Sequence, residues 1–167
     1  MTRKPHQAKR SPGPPSYSEF LRHADRIRER ALKVLQQDGH HANIVICFTR
    51  DGSEEVVGIG SLPAEMTMGE ALRAICRARR VHSFVAVHEA WMTRGPAASL
   101  VVPPSKHPER EQVLCVSAIH PQTKRMWVYP FASEGGRVVL GKMLSSEAEG
   151  VTLGGGIPEA LGGQEGG

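Results

Sequence analysis

The stretch "SFVAVHEAWMTRGPAASLVVPPSKHPEREQVLCV", residues 83–116, decides how the chain is read. Its first ten residues form an apolar run too short for a helix of ordinary length and rich in β-formers, so they predict a strand. Side chains alternate along a strand, which places Phe84, Ala86, His88 and Ala90 on one face and Val85, Val87, Glu89 and Trp91 on the other. Both faces are mainly apolar, so the strand is expected to be central and covered on each side. His88 and Glu89 point apart and cannot readily serve one metal ion together.

Outward from this strand the pattern continues on both sides. Ser16 and Glu19 form a capping box, and Phe20, Ala24, Ile27, Ala31 and Val34 or Leu35 follow at helical spacing until Asp38-Gly39. "ANIVICFT" and "EEVVGIGS" read as strands joined through Asp51-Gly52 into a hairpin. Thr67 and Glu70 make a second capping box, opening a helix to about Arg80. After the central strand come a proline-rich loop over 95–110, two strands around "PQTK", and a possible extra edge strand in "RVVLGKM". The order α-β-β-α-β-β-β predicts an α+β fold: a mostly antiparallel sheet of about five strands with two helices on one face.

Composition sets the frame. With 167 residues, 40% apolar and 23% charged, the chain suits one soluble domain, placed at residues 16–142. Residues 1–15 are basic and proline-containing, residues 143–167 glycine-rich and acidic, and both are expected to be disordered tails. No apolar segment resembles a signal peptide or a membrane span, so a cytoplasmic location is expected. Cys47, Cys76 and Cys115 lie in apolar or helical stretches without a CxxC pair and read as reduced, buried thiols. P-loop, GxSxG and HExxH patterns are absent, and Gly58 and Gly60 lack the third glycine of a dinucleotide loop.

A carboxylate in a covered strand needs a cationic or hydrogen-bonding partner, which makes Glu89 the most informative residue. Arg110 is the expected partner, ahead of Arg94, Lys106 and His107; the pair would clasp the long loop onto the sheet. The competing chemical reading is a metal-assisted hydrolase in which Glu89, His107 and His120 converge. No metal site and no cofactor are assigned from spacing. A third reading is accessory nucleic-acid binding through the basic tail and Arg73, Arg77 and Arg80, which stand at i, i+4 and i+7.

"EAWM", the loop and "PSKHPEREQVLCV" together resemble a pattern in small bacterial and phage proteins, Glu-Ala-Trp before Pro-Ser-x-His-Pro-x-Arg-Glu and a β-hairpin. The resemblance covers about residues 81–131 and implies an α+β fold but no activity. It draws attention to Glu89, Trp91, His107, Arg110 and Glu111. The leading expectation is a small non-enzymatic module that binds or regulates a protein partner through the 95–110 loop, with Trp91, His107, Arg110 and Glu111 at its surface.

Overall fold

The computed structural model describes residues 13–60, 65–94, 106–145 and 151–153. The expected tails lie largely outside these residues, as does most of the 95–110 loop. Helix α1 spans Tyr17–Asp38, opened by the Ser16/Glu19 capping box and closed by Gly39 at φ 78°. That left-handed conformation suits glycine, and its N–H caps the Leu35 carbonyl.

Strands β1 (Ile44–Thr49) and β2 (Glu54–Gly58) form the hairpin read from Asp51-Gly52. Its turn is held by the Asp51 carboxylate, which accepts hydrogen bonds from the Thr49 hydroxyl and the Ser53 N–H. These bonds keep the Asp51 carboxyl low, at about 2. Helix α2 (Met68–Ala78) follows with the Thr67/Glu70 capping box. Then come β3 (Val81–Arg94), β4 (Glu111–His120), β5 (Thr123–Glu134) and β6 (Arg137–Leu140).

These six strands pair antiparallel in the order β2-β1-β3-β4-β5-β6. The expected edge strand exists as β6, so this path has one strand more than the five expected. The ladder between β5 and β6 breaks at Pro130, which accepts from the Gly141 N–H and has no N–H to give back. Two short strands also form inside the segment expected to be a tail: β7 (Leu144–Ser145) pairs with β5 and β8 (Val151–Leu153) with β3.

The helices lie on opposite faces of the sheet, not on one. The reason is visible in β3, whose two faces are both apolar and both demand cover. Helix α1 packs Phe20, Ala24, Ala31 and Leu35 on Ile46, Phe48, Val85, Val87, Leu114 and Val116. Helix α2 packs Leu72 and Cys76 on Val45, Cys47, Phe84, Ala86 and Ile119. Adjacent β3 residues therefore anchor different helices. The buried cysteines are free; burial pushes Cys47 up to about 11 and Cys76 and Cys115 up to about 12, so none is a thiolate at neutral pH.

A candidate binding surface where the sheet leaves the helix

Along the α1 face of β3 the side chains run Val85, Val87, Glu89, Trp91. The change from apolar to polar falls where α1 ends and the chain turns back at His41. Strand β1 begins at Ile44, opposite Val87, so the β3 backbone beyond that point loses its β1 partner. Asn43 replaces it: its side-chain carbonyl accepts the Glu89 N–H at 3.1 Å. The Glu89 carboxylate in turn accepts from the His41 N–H at 2.7 Å and from the Gln112 amide at 3.0 Å.

Glu89 is a clasp, but not the expected one: its donors are His41 and Gln112 and not Arg110, and it does not hold the long loop. It ties the α1–β1 connection to β3 and β4. Gln112 reaches it because Gln112 lies on the same face, directly opposite Trp91 and diagonal to Glu89. Replacing Glu89 by glutamine keeps an acceptor for His41 and is expected to cost about 1 kcal/mol or less. Alanine strands the His41 N–H and is expected to cost about 1–3 kcal/mol. Urea denaturation of the two variants checks the order, and equal losses would remove the clasp.

Arg110 instead lays its guanidinium over the Trp91 ring, 4.5 Å from the centroid. Trp91 is 37% exposed, although Met92 and Thr93 beside it are buried. Next to this pair a cleft of about 500 Å3 runs from Arg110, Glu111 and Gln112 to Phe131 and Leu140. Glu111 stands opposite Met92 at the start of β4. His107 sits in the preceding turn, where its Nδ1 accepts from the Glu109 N–H and its carbonyl from the Arg110 N–H. Glu89, Trp91, Arg110 and Glu111 are therefore gathered at one end of β3 and β4.

His120 is not part of this group. Glu89 stands opposite Leu114, and His120 is six residues further along β4, roughly 20 Å away at about 3.3 Å per residue. It packs instead against Tyr17, Phe20 and His82, with ring centroids 5.1–5.3 Å away. A β-bulge between Phe48 and Thr49 shifts the register at this end of β3, where His82 lies. Burial, and then the neighbouring His82, lower the His120 pKa; burial and Arg50 lower that of His82.

The expected convergence of Glu89, His107 and His120 on a metal is thereby removed by register. Tautomers point the same way. In His107 and His120 the Nδ1 lone pair is taken by a backbone N–H, so the neutral ring carries its proton on Nε2. Ligation through Nε2 would require that proton to move to Nδ1, where a backbone N–H already donates, and ligation through Nδ1 would displace that N–H. Among the described residues no three His, Cys, Asp or Glu side chains group to hold a metal ion.

The arginine row is also rearranged. Helix α2 ends at Ala78, and Arg80 takes φ 51°, outside helical geometry. Arg80 therefore leaves the face of Arg73 and Arg77 and lines a separate cleft with Arg50 and Arg79, where Arg79 pairs with Glu55. No helix among the described residues is long and apolar enough to cross a membrane. No family model, curated protein or solved structure matches the chain.

Proposed function

We propose that the chain is a non-enzymatic binding module for a protein partner, and that the surface it presents is the Trp91–Arg110 ledge with the cleft beside it. The observation that carries this reading is the exposed Trp91 capped by Arg110 toward the end of a mostly buried strand. Tryptophan and arginine dominate protein interfaces because each offers a large, stiff contact area together with polar atoms. Glu89 and Gln112 fix the strands beneath the ledge, so it is preorganised and loses little freedom on binding. Most of the 95–110 loop, expected from the sequence to carry the binding surface, lies outside the described residues.

Site-specific photo-crosslinking in the native host from residue 139, an exposed position lining the cleft, tests the proposal. One protein is expected to be captured, and Trp91→Ala or Arg110→Ala is expected to weaken its binding at least tenfold while leaving the unfolding midpoint within a few degrees. A partner indifferent to both substitutions would overturn the assignment of the surface. Capture of RNA or DNA in its place would overturn the assignment of a protein partner.

A further inference from the structure

Strand β2 is an edge strand, paired among the described residues only with β1. The phase of its hydrogen bonds can be read from its two ends. Thr49 donates to the Ser53 carbonyl and Ile59 to the Asn43 carbonyl, so the odd-numbered residues of β2 point their backbone groups at β1. In an antiparallel ladder the alternate residues point the other way. Glu54, Val56 and Gly58 therefore turn their N–H and C=O groups outward.

The side chains of this outward set share the α1 face. Val56 is 65% exposed. Beside it lies a groove of about 380 Å3 between α1 and the hairpin, floored by Ile27, Ala31, Val34, Ile44 and Ile46 and lined also by Arg30 and His41. A free ladder edge with an exposed valine over an apolar groove is a template for one more strand.

We propose that the strand filling it is β2 of a second copy of this chain, paired antiparallel about a two-fold axis at Val56. The register is self-consistent: Val56 pairs with the partner's Val56 and Glu54 with the partner's Gly58, all residues whose backbone groups point outward. Glu55 then faces the partner's Val57, so no two carboxylates are opposed. A slip of two residues toward the hairpin turn would set the two Glu55 side chains against each other. The chosen register also delivers each Glu54 to the open side of Gly58, where a Cβ would meet nothing within 4 Å, and toward the groove lined by Arg30 and His41. The two valines meet at the axis, and the sheet continues through both copies as an isologous interface.

Sedimentation velocity at tens of micromolar tests this, and proline supplies a selective probe. Val56→Pro removes an N–H that points away from β1, so it leaves the internal ladder intact. Val57→Pro removes one that points toward Val45 and is expected to lower the unfolding midpoint. The wild-type chain is expected to sediment as a dimer. Val56→Pro and Val56→Lys are expected to be monomers with unchanged circular dichroism. A wild-type monomer throughout the range, or a dimer that persists in Val56→Pro, would overturn the proposal. So would a monomer that pairs β2 with an unrelated peptide.

Discussion

Phe20→Ala is expected to lower the unfolding free energy by about 3–5 kcal/mol, the range for removing a fully buried phenylalanine. Phe20 is 0% exposed. It meets Phe48 edge-on at a centroid distance of 5.9 Å and His120 at 5.1 Å. The loss is large because α1 is the helix that packs on this face of the central strands, so the cavity opens at its first buried anchor. A second readout follows from the same contact. Burial holds the His120 pKa down, so opening the packing over its ring moves the titration back up, measurable by NMR. Leu72→Ala removes the corresponding anchor of α2, at about 2–5 kcal/mol. The two substitutions lie on opposite sides of the sheet with no shared neighbours, so their costs should add to within about 0.5 kcal/mol. Urea denaturation of the double variant measures this. A coupling well beyond that margin would count against the two-sided arrangement.

The elements and their caps were legible because each is encoded locally. Ser16/Glu19 and Thr67/Glu70 satisfy orphan N–H groups within a single turn, and Asp51-Gly52 sets a turn by its own chemistry. The double-sided burial of β3 was legible too, from apolar residues on both of its faces. It was the helices that were misplaced, since a helix's own periodicity says it has an apolar face but not which side of a sheet receives it. The partners of Glu89 were illegible for a related reason. His41 contributes a backbone N–H, which no side-chain pattern reveals, and Gln112 reaches Glu89 only through the β3–β4 register. Arg110 was the natural choice by charge, and Trp91 captured it. Arg80 shows the same limit: the row at i, i+4 and i+7 presumes a helix that stops at Ala78. Edge polarity, the basis of the proposed self-pairing, became readable only once hydrogen-bond phase along β2 was fixed.

The chain is expected to lose stability steeply on acidification, and His88 is the main cause. The ring lies on the α2 face of β3, 5% exposed, opposite Cys115. Its Nδ1 and the hydroxyl of Ser117, diagonal to it on β4, have no hydrogen-bond partner among the described residues. Burial alone pushes the His88 imidazole down to about 4, whereas in an unfolded chain it titrates near 6.5. Above about pH 6.5 both states hold the ring neutral, and the fold keeps its full stability. As the pH falls from there toward 4, the unfolded chain takes up a proton that the folded chain refuses, and stability drains away by about 3 kcal/mol in all. His82 and His120 are lowered in the same direction, so the wild-type slope is steeper than His88 alone would give. His88→Leu separates the contributions. It fills a similar volume, removes the titration and eliminates the unpaired nitrogen, so at pH 7 it should be neutral or mildly stabilising. Its advantage over the wild type should then grow as the pH falls, approaching about 3 kcal/mol near pH 4. Denaturation curves at several pH values measure that difference. If the two chains keep a constant gap from neutral to acid pH, or if the His88 ring titrates near 6.5 by NMR, this buried neutral histidine is not what sets the acid limit of the fold.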